Sequence, residues 1–204
     1  MTVRNPENAG KTHVSGSNER DLLLRHRDGD TGAFRRLVEN YRRPVFSYLV
    51  RCGVAEADRD DLFQEVFIRV HAATDAYDES RPLHPWLFTV VANTVRTYHR
   101  KRKVRELVFA EGDDQEPHAP HPDAERRAIA EQTANWLEGA MRTLPLAQRE
   151  VLILTCVESL SQKNVAQILG FPLNTVKTHL RRARLALARR LAKRNAPPSG
   201  EVPS

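Results

Sequence analysis

Apolar residues recur along this chain at helical rather than strand spacing, in two blocks separated by a polar stretch. The first block runs from about Glu19 to Val104 and opens on Leu22, Leu23 and Leu24. Phe34, Leu37, Val38, Tyr41, Val45, Phe46 and Leu49 then return every three or four positions and line one helical face. Pro44 falls inside that run, where its missing N–H and its ring predict a kink or local break. Asp58 reads as the cap of a helix over Arg59 to Ala73. Tyr77 to Pro85, with Pro82 and Pro85, reads as a turn-rich loop. A last helix starts near Pro85 and carries Trp86, Leu87, Val90, Val91, Val95 and Tyr98.

The second block runs from about Arg126 to Arg194. Ile129, Trp136, Leu137 and Met141 mark one helix, and Pro145 starts another with Val151, Leu152 and Leu154. Ser161 to Leu169 and Leu173 to Arg194 give two more. No stretch alternates with a period of two and no hairpin signal occurs, so the predicted class is all-α: two small helical domains, 19–104 and 128–194. Between them, Glu106 to Glu125 holds seven acidic residues, three prolines and no Lys or Arg. Such a stretch cannot build a core and reads as a flexible acidic linker, placed at 105–127. The polar segment 1–18 and the tail 195–204 read as disordered.

Composition narrows the function. The first eighteen residues hold no apolar segment of signal-peptide type, and no apolar run approaches the roughly 20 residues of a membrane span. A cytoplasmic protein without membrane insertion is expected. Cys52 and Cys156 both sit in apolar surroundings and read as two buried thiols. No cysteine spacing suits a metal. His118 and His121 lie in the linker without partner ligands, and no cofactor is expected. The formal net charge of +6 points to a polyanion, but only its placement can say which.

That placement is informative in the second block. Ser161 to Leu180 has the pattern of a helix-turn-helix: Ser161 as a cap, small Ala166 at the crossing, Gly170 able to take positive φ. Val176, Leu180, Ala183 and Leu187 share the inward face of the following helix. Asn174, Thr178 and Arg181 lie opposite, flanked by Lys177 and Arg182, on the face a recognition helix lays in the DNA major groove. From Lys177 to Arg194 there are eight Lys or Arg and no acid. A solvated basic face is the alternative, but that many like charges on one helix repel each other and favour an anionic partner.

In the first block, Leu62, Phe63, Val66, Phe67 and Val70 form an apolar arc, while Asp61, Gln64 and Glu65 form the other side with Ile68 among them. An exposed Ile within acidic residues suggests a protein contact as readily as an ordinary amphipathic surface. Trp86 to Lys103 then passes from aromatic to basic, with Arg96, Arg100, Lys101, Arg102, Lys103 and Arg105 and no acid between Trp86 and Arg105. Basic groups beside aromatics and the amide of Asn93 suit a strand with unstacked bases.

Taken together, Asp61-Leu-Phe-Gln-Glu-Val-Phe-Ile-Arg69, Pro85-Trp-Leu-Phe with Ala92-Asn93, Leu144-Pro-Leu-Ala-Gln-Arg-Glu-Val-Leu152 and Gly170 to Arg184 closely resemble the extracytoplasmic-function sigma factors. These are the small two-domain group of the main bacterial sigma family. The resemblance covers about 19–104 and 132–191. It implies that Asp61, Gln64, Glu65 and Ile68 meet the clamp helices of the largest subunit of core RNA polymerase, with the flap as the site for the second domain. It implies that Tyr77, Arg81, Trp86, Val90, Asn93, Arg96 and Arg100 hold the melted downstream promoter element. It further implies that Asn174, Lys177, Thr178, Arg181 and Arg182 read the upstream element as duplex DNA. The linker would follow the polymerase's RNA path or serve as a plain tether, and an inhibitory anti-sigma factor is an expected partner. Asn164 and Pro172 depart from the family's usual residues at the capping box and the turn.

Two rival classes fit the pattern less well. Another type of helix-turn-helix regulator would need a sensor domain, usually α/β, and the first block shows no strand pattern. A Mg²⁺-dependent nuclease could use Asp58, Asp60, Asp61 and Glu65, but Asp61 and Glu65 share a face with Ile68, and His118 and His121 lie in the linker without partners. The expected protein is therefore not an enzyme.

Overall fold

The computed structural model describes residues 16–109 and 136–195, all helix and connecting turns with no strand among them. The N-terminal residues 1–15, most of the linker with His118 and His121, Ile129 and the end of the C-terminal tail lie outside the described residues.

Helix α1 (Gly16–Arg27) begins three residues inside the segment expected to be disordered. It turns into α2 (Thr31–Arg51) through Gly29, whose φ of 101° is open to glycine. Asp30 fixes that turn twice. Its Oδ1 accepts from the Ala33 amide at 3.1 Å and caps α2, and its Oδ2 accepts from Arg25 at 2.6 Å. Ala33, Leu37, Tyr41, Val45, Tyr48 and Leu49 form the buried stripe of α2. The helix continues through Pro44, so of the kink or local break expected there the break does not occur. The physical reason is that Tyr41 and Val45 on either side are locked in the core, and this packing outweighs one missing backbone hydrogen bond.

A single 3₁₀ turn, Glu56–Asp58, leads into α3 (Arg59–Ala72). Asp58 does not cap α3 as expected: its own backbone is already helical, and its carboxylate instead accepts from the Tyr98 hydroxyl at 2.7 Å. Leu62, Val66, Phe67 and Val70 are buried, and the Thr74 hydroxyl donates to the Val70 carbonyl just beyond the helix end. After the loop, α4 (Leu83–Phe109) starts before Pro85 and continues past Arg105, so the first residues assigned to the linker are helical. Leu87, Phe88, Val91, Ala92 and Val95 face the core with spacing set by the helical period.

The second group begins with a helix through 136–142, α5. Then come α6 (Leu146–Cys156), α7 (Gln162–Leu169) and α8 (Leu173–Asn195). Ser161 accepts from the Asn164 amide at 3.1 Å and caps α7, so this half of the capping box forms without an acid at 164. Gly170 closes α7 in the left-handed region at φ 65°. Val176, Leu180 and Ala183 anchor α8 in the core, and Leu187 packs against it half-buried. The two groups of helices are packed together, α6 against α2 and α7 against α4. Among the described residues, no helix is long and apolar enough to cross a membrane.

Candidate nucleic-acid and protein-docking faces

The outward face of α8 carries Asn174, Lys177, Thr178, Arg181 and Arg182, and all five are exposed. Inward anchoring at Val176, Leu180 and Ala183 leaves that face no other direction. Asn174, Thr178 and Arg182 line a shallow depression together with Thr175 and His179. The last two were not singled out from sequence, because Thr175 and His179 sit at the flank of the wheel. Farther along, Arg189 and Arg190 are exposed, and the Arg194 guanidinium lies 5.2 Å from the Trp136 ring centre. That stack ties the end of α8 to α5.

On α3, Asp61 and Gln64 are exposed and Ile68 is 66% exposed. Glu65 is half-buried and pairs with Arg69 one turn on. Gln64 borders a groove between α2 and α3 whose floor holds Phe46 and Phe63, stacked with ring centres 4.7 Å apart, and whose rim holds Glu39, Arg42 and Asp60. This face therefore has an apolar floor, a charged rim and one protruding aliphatic side chain. Such a composition suits a protein rather than a polyanion.

The residues expected to hold a melted strand divide. Asn93 and Arg100 are exposed along α4, Val90 and Trp86 are half-buried, and Arg81 is exposed at the loop. Tyr77 is buried at 4% exposure: its ring packs on Trp86 at 4.9 Å between centres and its hydroxyl donates to the Arg81 carbonyl. It shapes the loop from beneath, and its ring is not presented to solvent. Ser80 donates to Asp78 through both amide and hydroxyl, which pins the tip.

Arg96 is the outlier. Its Nε donates to both oxygens of Glu150 on α6, at 3.1 and 3.0 Å, and its Nη1 donates to the Leu169 carbonyl at 2.7 Å. Its guanidinium also lies 4.9 Å from the centre of the Phe171 ring. Glu150 is 1% exposed and accepts a further hydrogen bond from Tyr48 of α2 at 3.3 Å. Burial pushes the Glu150 carboxyl above its ordinary range, and the adjacent Arg96 opposes that. Beside it, Arg149 donates to the carbonyls of Arg142 and Leu144 and lies close against Gly53. At the other end of α6, Glu158 sits 3.6 Å from His84 of α4. Burial raises the Glu158 carboxyl to about 7, against a lowering pull from Arg51. Neither glutamate is marked as a site residue by the sequence, although Glu150 lies within the Leu144 to Leu152 motif. The available signal was that Glu150 shares a helical face with Ile153 and Leu154, where a charge needs a partner.

The two cysteines differ, which corrects the expectation of two buried thiols. Cys52 is buried, and desolvation pushes its thiol up. Cys156 is exposed in the last turn of α6, with Arg184 at 3.5 Å from its sulfur. Leu152, Ile153 and Leu154 point inward, while Cys156 and Val157 point out. Among the described residues, no group of three His, Cys, Asp or Glu is placed to hold a metal ion.

Both groups of helices resemble known proteins. Residues 37–105 match the family model for sigma-70 region 2, and residues 134–187 match that for sigma-70 region 4. The RNA polymerase sigma factor NccH of Alcaligenes xylosoxydans xylosoxydans is 33% identical over 81% of this chain and 90% of its own. The ECF RNA polymerase sigma factor SigW of Bacillus subtilis is 27% identical over 80% of this chain and 91% of its own. Among solved structures, the sigma factor RpoE of Bartonella quintana in complex with the anti-sigma factor NepR aligns with a TM-score of 0.65 at 25% identity, covering 80% of this chain and 98% of that one. The chain belongs to the sigma-70 family of RNA polymerase sigma factors, in its extracytoplasmic-function group, and acts in promoter-directed transcription initiation without being an enzyme in its own right.

Proposed function

We propose that this sigma factor reads the upstream promoter element as duplex with α8 and the downstream element as a melted strand with α4, while α3 docks on core polymerase. The observation that carries this is the exposed face of Asn174, Lys177, Thr178, Arg181 and Arg182, uninterrupted by any acid and held outward by a buried opposite face. The strand site comprises Val90, Asn93, Arg96 and Arg100 with the loop bearing Arg81, and Tyr77 and Trp86 supporting it. Asp61, Gln64, Glu65 and Ile68 form the contact with the clamp helices of the largest subunit, and the flap receives the second group of helices. An anti-sigma partner, as seen with the Bartonella relative, would cover these polymerase-facing surfaces.

Melting several base pairs costs on the order of a kcal/mol per step, more than one short basic helix offsets alone. Permanganate should therefore find reactive thymines only with the complete holoenzyme, and reactivity with the factor alone would overturn the division of labour. For α3, the double change Asp61→Ala with Glu65→Ala should weaken capture of core polymerase while leaving the helical circular dichroism unchanged. Undiminished capture would remove α3 from the contact.

A further inference from the structure

Helix α1 precedes the stretch 37–105 that matches sigma-70 region 2, yet its side chains reach the loop Tyr77 to Arg81. Arg20, Leu23, Leu24 and Arg27 stand at i, i+3, i+4 and i+7, on one face of the helix. Leu23 is fully buried and Leu24 packs half-buried against the core, so the seat of α1 is fixed and both arginines are aimed the same way. They meet one residue. Arg20 Nη1 donates to the Glu79 carbonyl at 3.2 Å, and Arg27 Nη2 donates to the Glu79 carboxylate at 2.5 Å. The root of the loop, the 3₁₀ turn Thr74–Ala76, also packs against α1. A basic last turn can serve the helix dipole alone. Arg27 instead bridges 52 positions of sequence.

Charge gives this contact its sense. The loop carries two exposed carboxylates, Asp78 and Glu79, in a segment assigned to a polyanion. Asp78 is countered within the loop by Arg81 at 3.2 Å, whereas the counter-charge of Glu79 comes from α1. The Tyr77 and Ser80 hydrogen bonds hold the loop's internal shape, and the two arginines set its orientation against the helices. We propose that α1 clasps this loop, with Arg20 and Arg27 as positioning residues. They hold Arg81 where a base of the melted strand is read, and they cancel the charge of Glu79 beside the strand's phosphates. The proposal rests on the assignment of the loop to the melted strand. An exposed ion pair adds little to global stability, so the clasp shows in promoter preference and not in the melting point.

The test uses the full chain with core polymerase, transcribing two promoter libraries, one varied in the downstream element and one in the upstream element. Arg20→Ala with Arg27→Ala should flatten the preference at a downstream position about fivefold and leave the upstream ranking and the thermal midpoint unchanged. Arg27→Glu sets two carboxylates against each other and should flatten it further. Adding Glu79→Arg to Arg27→Glu rebuilds the pair with its charges exchanged and should restore the preference, a rescue that general destabilisation would not give. Equal losses in both libraries with a lowered midpoint, and no rescue by the exchange, would make α1 a plain structural helix and overturn the clasp. Arg81→Ala locates any failure. If it alters downstream preference while the Arg20 and Arg27 variants do not, the clasp is wrong. If Arg81→Ala too leaves downstream preference intact, the loop does not read the strand, and the assignment beneath the proposal falls with it.

Discussion

Glu158 is a carboxylate held out of water beside a histidine and an arginine, and its protonation is coupled to stability. Its carboxyl is raised to about 7 in the folded protein, above its ordinary value, so the folded state binds the proton more tightly than the unfolded one. The stabilisation is therefore full at pH values below the ordinary carboxylate range and is lost as pH rises through about 7. Thermal unfolding followed from pH 5 to pH 8 should show stability falling by about 2 kcal/mol from this group. Glu158→Gln should flatten that dependence and be the more stable protein at pH 8. A variant with the same slope would dissociate the slope from this side chain. The thiols give a second residue-scale test. Exposed Cys156 should react with a thiol reagent in the native protein, whereas Cys52 should react only on unfolding. Two fast thiols would contradict the placement of Cys52. Neither outcome could be taken from sequence, because Cys52 and Cys156 have equally apolar neighbours along the chain. Which face of its helix each occupies is decided by tertiary packing.

At the scale of elements, α7 and α8 were the most legible. A cap, a left-handed glycine and a run of inward aliphatic residues each carry a local physical reason, and Ser161, Gly170 and Val176 stand where those reasons put them. Ser161→Ala should cost about 1 kcal/mol in urea unfolding, since one amide at the start of α7 loses its acceptor. An unchanged midpoint would show that water replaces the cap. Along α8, Arg182 lies in the depression with Asn174 and Thr178, whereas Arg189 and Arg190 lie two turns on. Arg182→Ala should relax preference at one upstream promoter position by about 1–3 kcal/mol. Arg189→Ala or Arg190→Ala should weaken all promoters alike and lower the salt slope. Transcription from a promoter library varied in the upstream element separates these. If the ranking survives loss of both Arg181 and Arg182, this helix does not read sequence. Pro44 and Asp58 mark the limit of local reading. In both cases the local preference was real and a longer-range partner overrode it: the core around Tyr41 and Val45 for the first, the Tyr98 hydroxyl for the second.

For the whole molecule, periodicity along the chain sufficed to give the class and the two helical groups. It could not show that the groups lie against each other. The contacts that join them include Glu150 with Arg96, 54 positions apart, and Glu158 with His84 at the other end of α6. A seam of this kind has a particular energetic character. Removing two charges from water costs nearly what their attraction returns, so a buried pair adds little net adhesion, while either charge left alone is heavily penalised. The polar part of the seam is thus shallow in depth but strict in its partners. Loss of either member therefore costs more than loss of both, and the two side chains act as one unit.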